Sequence, residues 1–574
     1  MQVTARALAA SLAPASDRDA ATLDRDATAS NGGAPLVIGH VARGEAPAWL
    51  ARCLDALARE RKLDWSAADS GEPARDPAWV RFDAWLARRV LPSSRDAWTC
   101  SVEPHATRTR DALGAPNSPG ARYGAKRARS NDACALRIDV DGTAGPCAET
   151  VWSVRFGDGS RYANELARGD QTLRIELHER APDGTERCLA KTRTKSPNSL
   201  TLARSRAAWK ASALLERTLR RHLAGEPLPS LAPHDSPLAH AAESRQSTCD
   251  AAGPPLARDT DGRSPELGAS TRPLAGNART WPLAVRALAR AAERSLCEDA
   301  WRLAWRARGE GLPDSATWRP EHQLAAPRGR FFADPFLLAH AGRECLFFED
   351  YDARSRLGRL ACVELAADGS AGPVQPVSHA AHHLSYPFVF EHEGVAYMLP
   401  ETHETRRIEL WRAEKFPTRW KLDRVLIDGL KAVDATWFRH AELFWIFACV
   451  ADERAPLSEE LCAFWSPHPF GPWTPHAANP IVDDPCGARP AGRPFVVGGA
   501  LVRPAQDVTG EYGKRVLFQE LVHLDPTRYE ERNVGSFDAD GALASAGTHH
   551  FDRGARFEVV DARTTRFKRP RWFR

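Results

Sequence analysis

Three stretches of this 574-residue chain share one order of parts at a spacing of about 50 residues, and that repeat limits the fold more than any other feature. RFFADPFLLAHAGRECLFFEDYD runs from Arg330 to Asp352, SYPFVFEHEGVAYMLPETHE from Ser385 to Glu404, and VDATWFRHAELFWIFACVADE from Val433 to Glu453. Each sets a polar residue near an aromatic run, then a short turn, a second apolar run and an acidic end. Aromatic and β-branched residues on both sides of a turn are the mark of a hairpin. Asp334 and Tyr386 lie 52 residues apart, Tyr386 and Asp434 48. A fourth copy is expected at RPFVVGGALVRPAQD (Arg493 to Asp507), with outer strands in KRVLFQELVHLD, and a shorter fifth at GTHHFDRGARFEVVDA (Gly547 to Ala562). A repeat of this length with about four strands per copy predicts propeller blades, here five from about residue 318 to 574. A β-sandwich with chance likeness between its hairpins is the alternative.

A chain this long holds two to four domains. Lys and Arg number 78 against 74 Asp and Glu, a net charge of +4, so no bulk field directs it to nucleic acid or an anionic membrane. Trp is frequent at 18, but blades bury Trp as readily as sugar sites display it, so the count speaks for core before site. The 12 cysteines include no CxxC pair and none at zinc-finger spacing from His, so no structural metal is expected. Cys345, Cys362 and Cys449 sit inside apolar runs, as small core residues do. Such thiols suit a reducing compartment. No apolar run is long enough to span a membrane, and MQVTARALAASLAPAS at the start carries too short a run for a convincing secretory leader. A cytoplasmic location is the expectation.

Residues 1–34 are rich in Ala, Asp, Ser and Gly without a sustained period and read as a disordered extension. Residues 35–225 alternate strand-like runs (LVIGHV, ACALRIDVDG, VWSVRFGDG, QTLRIELHER) with helical spacing, which predicts an α/β domain. Its first turn lacks GxGxxG, so a dinucleotide site is not indicated. Residues 226–280 are dense in Pro, Ser, Gly and Asp and read as a flexible linker. WPLAVRALARAAERSLCEDAWRLAWRARG, Trp281 to Gly309, is expected to be a basic amphipathic helix within a connector, 281–317, docked on the propeller.

The C-terminal half resembles the N-terminal domain of glucosamine inositolphosphorylceramide transferase, a family found in plants and bacteria. The likeness rests on FFADPF, FFEDYD, YPFVFEHEGVAYMLPET, RPAGRPFVVGGALVRPAQD and GTHHFD. That domain is similar to the five-bladed propellers of arabinanase- and xylosidase-type glycoside hydrolases. Residues 35–225 more weakly resemble the formyltransferase fold, through VWSVRFGDG and the Trp209 helix. Where that family carries Asn and His two residues apart, this chain has Ser153 and Arg155, so the half is expected to be an inactive scaffold. No folate or other cofactor is expected.

Propellers gather the starts of their inner strands around one funnel, so Asp334, Tyr386, Asp434, Arg493 and His549 or His550 are expected to converge there. Glycoside cleavage needs one ionised and one protonated carboxyl across the bond. The hydrolase resemblance implies Asp334 as the base and Asp434 as the group that tunes the acid and orients the sugar. It also implies a later Glu as acid, but CGARPAGRPF stands there, with Arg489 and Arg493. Glu401 in LPETHE is the best substitute acid and Glu520 the second. Arg489 and Arg493 suit phosphate or carboxylate on a ligand, because the guanidinium fork binds such oxygens bidentately; His383 could bond sugar hydroxyls. Two functions stand open. One is an enzyme that hydrolyses or transfers a glycosyl unit in the funnel. The other is a non-catalytic propeller that binds a carbohydrate or glycoconjugate, an anionic or lipid-linked one included.

Overall fold

A computed structural model describes residues 149–158, 162–197, 199–231, 297–378, 381–451, 457–510, 512–538 and 545–567, the strands at 36–42, 63–69 and 136–139, and positions 49, 50, 53, 57 and 543. The expected extension, 1–34, and nearly all of the expected linker lie outside the described residues.

The first unit is a six-stranded sheet. It comprises β1 (Leu36–Ala42), β2 (Leu63–Asp69), β3 (Leu136–Asp139), β4 (Val151–Phe156), then α1 (Ala163–Arg168), β5 (Thr172–Arg180) and β6 (Glu186–Lys195). The order is β2-β1-β3-β4-β5-β6, parallel as far as β4 and antiparallel beyond it. The long α2 (Leu200–Leu223) starts where the Ser199 hydroxyl accepts the Leu202 N–H at 3.3 Å. Its Ala207, Ala211, Leu215 and Leu219 share a buried core with Trp152, Ile175 and Leu177.

The segment expected to be an amphipathic helix is instead β7 (Cys297–Ala307) over its described part. Trp301, Leu303 and Trp305 stand at every second position, and Trp301 and Trp305, four apart, satisfy a strand and a helix period alike. Tertiary pairing decides between them. β7 and β8 (His322–Ala325) are the outer strands of a blade whose inner strands come from the far end of the chain. The propeller therefore begins at Cys297, not at 318.

Four blades follow in order. Blade I is β9 (Arg330–His340), β10 (Arg343–Asp352), β11 (Leu357–Leu365) and β12 (Gln375–Pro376). Blade II is β13 (Ser385–His392), β14 (Val395–Glu401), β15 (Arg407–Lys415) and β16 (Arg419–Asp428). Blade III is β17 (Ala432–His440), β18 (Leu443–Val450), β19 (Glu460–Ser466) and β20 (Thr474–Pro475), with β21 (Val482–Asp483) also on β19. Blade IV is β22 (Cys486–Pro490), β23 (Phe495–Val497), β24 (Ala500–Asp507), β25 (Arg515–Leu524) and β26 (Tyr529–Phe537). Blade V is β27 (Phe551–Arg553) and β28 (Phe557–Phe567) with β7 and β8.

Blades I to IV each carry a two-residue hairpin with both residues at positive φ: Ala341–Gly342, Glu393–Gly394, Ala441–Glu442 and Gly498–Gly499. Such turns match the natural twist of the strands they join. The core lies between blades. Phe336, Phe347, Phe388 and Ile446 join I, II and III; Trp445, Phe447 and Leu521 join III and IV. Ala304, Phe518, Phe551 and Val560 join IV and V; Trp305, Leu337 and Leu346 join V and I. The ring closes where β7 pairs with β28 from Phe557↔Ala307 to Phe567↔Cys297. Deleting 297–307 from the chain would expose that whole edge of β28, a template for foreign strands. The expected result is loss of soluble protein into aggregate on size exclusion.

The two units meet on blade III. The Lys210 ammonium, buried at 1% exposure, lies 2.5 Å from Asp483 and 3.4 Å from each of Glu459 and Glu460. Arg217 reaches Asp483 at 2.5 Å, and Glu459 accepts from the Thr194 hydroxyl and the Lys195 N–H. Burial pulls the Lys210 pKa down, but the charges of Asp483, Glu460 and Glu459 outweigh it and hold the proton more tightly than usual. Lys210→Met should therefore leave buried carboxylates short of a cation and lower stability by about 3–5 kcal/mol, read from the denaturant midpoint. A loss below about 1 kcal/mol would mean that water reaches this junction.

Candidate functional site

The inner strands of blades I, II and III break register at the same point. Asp334, Tyr386 and Asp434 have φ of 52°, 42° and 56°, and the pairing of each strand skips its residue. A left-handed φ costs a residue with a Cβ about 1 kcal/mol or more and persists only where the surroundings impose it. Here a bulge re-aims the side chain toward the ring centre. The residue before each bulge pairs with Glu349, Glu401 and Cys449 respectively. The acidic ends of the first two repeats are thus equivalent positions on the second strands.

Hydrogen bonds tie these positions across the ring. The Tyr386 N–H donates to Asp334 at 3.3 Å. Its hydroxyl meets Thr436 of blade III at 2.9 Å and accepts the Gly492 N–H of blade IV at 3.1 Å. One blade II side chain that touches both III and IV must stand near the axis. A Cβ on Gly492 would meet the Phe551 carbonyl at 1.9 Å, so only glycine lets the backbone pass. Arg493 also crosses the ring, bonding Asp552 at 3.2 Å and the carbonyls of Leu337 and Val389 at 3.2 and 2.8 Å. Its guanidinium pins blades I, II, IV and V together. The arginine that faces Asp434 is Arg489, through Nε–Oδ2 at 2.5 Å and Nη2–Oδ1 at 3.4 Å. Glu520 lies apart on β25, paired with Arg532 at 2.6 Å.

His549 bridges two carboxylates, with Nε2 3.0 Å from Asp334 and Nδ1 3.0 Å from Asp561. Asp561 is fixed by the backbone N–H groups of His549 and His550 at 2.9 and 3.1 Å. Donor atoms of Asp334, His549 and Asp561 all lie within 4.8 Å, a spacing a divalent ion could use. With each ring nitrogen facing a carboxylate, a protonated imidazole meets the same demand. Burial works against that proton, but Asp561 and Asp334 outweigh it and raise His549 to about 10. The folded state therefore holds this proton more tightly than the unfolded chain. The stability it contributes is complete below the unfolded value near 6.5 and fades as pH rises through 10.

The carboxyl groups are driven apart. Burial pushes Asp334 up, but the His549 hydrogen bond and charge, with His550 and Arg489, hold it at about 2. Glu349 is raised well above the usual range by burial and by the charges of Asp334 and Glu401. Asp434 is pushed up to about 6 by burial, against Arg489 and with Asp334 and Glu401. Asp434 thus feels the charges of both Asp334 and Glu401. Burial also pushes Glu401 up, but His403, bonded through Nδ1, brings it below its usual value. Glu401, expected as the proton donor, is suited to stay ionised; Glu349 is the carboxyl that keeps its proton. His383 stands beside it, with Nε2 3.6 Å from Glu349 and Nδ1 accepting the Gly358 N–H at 2.9 Å. That bond leaves the ring proton on Nε2, facing Glu349.

Residues 321–567 match the family model described as glucosamine inositolphosphorylceramide transferase 1, N-terminal. This part of the chain belongs to that family. The glucosamine inositolphosphorylceramide transferase 1 of Oryza sativa subsp. japonica is 36% identical over 231 residues, 39% of this chain and 31% of that protein. The Arabidopsis thaliana protein of the same name is 33% identical over 233 residues, 39% and 30% of the two chains. The chain spans about a third of the length of these curated relatives. Among solved structures, a family 117 glycoside hydrolase from Zobellia galactanivorans is similar at 12% identity and a TM-score of 0.30, covering 46% of this chain and 90% of that one. The catalytic domain of a Coprinopsis cinerea GH62 α-L-arabinofuranosidase is similar at 13% and 0.30, covering 45% and 97%.

The match to the transferase 1 N-terminal family begins after β7, so the strand that closes the ring lies outside it. Sequence reasoning expected Asp334, Tyr386, Asp434, Arg493 and His549 or His550 at the axis; in the structure Asp334 meets Tyr386 and His549, Asp434 meets Arg489, and Arg493 crosses to blades I, II and V. Sequence reasoning missed Glu349, His403 and Asp561. The signal for Glu349 was present: counted from the hairpin turn, FFED and LPET put their Glu at matching positions of the repeat.

Proposed function

We propose that the propeller processes a carbohydrate or glycoconjugate at its axial site, by hydrolysis or transfer of a glycosyl unit. The observation that carries this is a pair of buried carboxyl groups in opposite surroundings, Asp334 against His549 at 3.0 Å, which holds it down, and Glu349 raised by burial and by the charge of Asp334. Two such groups are what cleavage of a glycosidic bond requires. Glu349 would protonate the leaving oxygen. Asp334, at about 2, is a poor proton acceptor, and its value would lie in fixed negative charge beside an oxocarbenium-like centre. Asp434, at about 6, is nearer the range of a useful base and would take the proton of the attacking hydroxyl or water. The names of the plant relatives, which mention glucosamine and inositolphosphorylceramide, support a sugar and a phosphate-bearing lipid as the ligand class.

A binding role without turnover is the second reading, and the Arg489–Asp434 pair favours it, because it occupies one carboxylate that chemistry would use. Turnover of a panel of alkyl and aryl glycosides by the native protein and by the Asp334→Asn and Glu349→Gln variants separates the two. Binding without turnover by the native protein would leave the second reading alone standing. The α/β unit is read as a formyltransferase-type scaffold without chemistry of its own, since Arg155 is engaged with Glu186 at 2.7 Å. A cytoplasmic setting remains part of this proposal. No helix among the described residues is long and apolar enough to cross a membrane.

A further inference from the structure

The segment between β24 and β25 carries Tyr512 over the axial site. The Tyr512 ring lies 5.0 Å from that of His549 and 6.2 Å from that of Trp301, and the Arg489 guanidinium carbon stands 5.4 Å from its centre. It thus covers the residues that hold Asp334 and Asp434. Yet the residue is 41% exposed, so part of its ring faces solvent. Its hydroxyl has no hydrogen-bond partner among the described residues. An open aromatic surface and a free donor beside carboxylates suit a sugar ring, which offers C–H groups on its face and hydroxyls on its edge.

The α/β unit touches the same segment. Gln171, just before β5, accepts from the Thr509 hydroxyl at 3.4 Å and the Lys514 ammonium at 3.3 Å, one on each side of Tyr512. Gly510 packs so closely on Gln171 that a Cβ there would stand 2.8 Å from its amide carbon. Trp301, on the ring-closing β7, backs Tyr512; a Cβ on Gly513 would meet it at 2.3 Å. Both supports come from residues outside the part of the chain that matches the transferase family.

We propose that Tyr512 is the ligand-contacting wall of the axial site, stacking on a pyranose ring, and that the α/β unit positions this wall through Gln171. The inference rests on the carbohydrate reading above and gives the first domain a task in it. The test uses the full chain with immobilised mono- and oligosaccharides as probes, then turnover of whichever glycoside responds. Tyr512→Ala should weaken retention about tenfold, and Tyr512→Phe, which keeps the ring and loses the donor, by a smaller factor. Gln171→Ala should raise KM severalfold with kcat retained, and Gln171→Glu, which still offers an acceptor to Thr509 and Lys514, should restore it. Native-like retention by Tyr512→Ala, with turnover still lost in Asp334→Asn, would overturn the wall and spare the carbohydrate reading. An unchanged KM in Gln171→Ala would overturn the positioning role. A native protein that retains no saccharide would overturn both the wall and the reading beneath it.

Discussion

Asp334→Asn is expected to lower turnover of a responsive glycoside by about a hundred- to a thousandfold while KM stays close to native. The substitution keeps shape and volume, and the amide oxygen can still accept from one of the two donors, the Tyr386 N–H on Oδ2 or His549 on Oδ1. What it removes is a full negative charge that His549, His550 and Arg489 hold in place against burial. A charge that matters only as positive charge develops on the sugar affects kcat and leaves ground-state binding alone. The variant should also release part of the hold on the His549 proton, leaving Asp561 as its one close carboxylate partner. The loss of stability with rising pH should then begin lower than in the native protein. Turnover within a factor of two of native would remove Asp334 from the chemistry.

Glu349→Gln is expected to cost about a hundred- to ten-thousandfold on alkyl glycosides, whose leaving oxygen needs a proton. The loss should be far smaller on nitrophenyl glycosides, which leave without one. The pH profile gives a second reading of the same residue. Activity in the native protein should rise as Asp434 ionises near pH 6 and fall at higher pH as Glu349 gives up its proton. In the variant the upper limb should vanish and the lower one remain. Stability should follow the same group. A carboxyl whose folded pKa is raised stabilises fully below its unfolded value near 4.5 and loses that contribution as pH rises through the folded value. Gln at 349 should flatten that slope. Should the upper limb persist, the acid lies elsewhere, and Glu401 is the first place to look.

Much of this arrangement could be read before any coordinates. Spacing alone identified Asp334, Tyr386 and Asp434 as copies of one position, because every blade must present the same strand start to the same axis. The hairpins were legible because their short turns punctuate aromatic runs. Two things were hidden. The period of residues 297–307 is ambiguous, since Trp301 and Trp305 fit a helix and a strand equally, and the partner that decides lies 250 to 270 residues away. Blade IV was read one step off. Arg489 and Arg493 flank the same turn, and which of them faces Asp434 depends on the Gly492 backbone crossing to Tyr386, a contact no local pattern announces. Tyr512 sits in a connection without repeat character, so nothing in its neighbourhood set it apart.

The partnership of β7 with β28 also sets an order of events during synthesis. When blades I to IV have left the ribosome, β7 has long been made and waits without the strand it needs. Its pairing with β8 and the contacts of Leu303 and Trp305 with blade I can form early, but its other edge stays open until the last residues of β28 emerge. Non-local pairings of this kind form late and slowly. A nascent chain stalled before residue 557 would be a four-bladed arc with a sticky end, the form in which a chaperone would meet this protein.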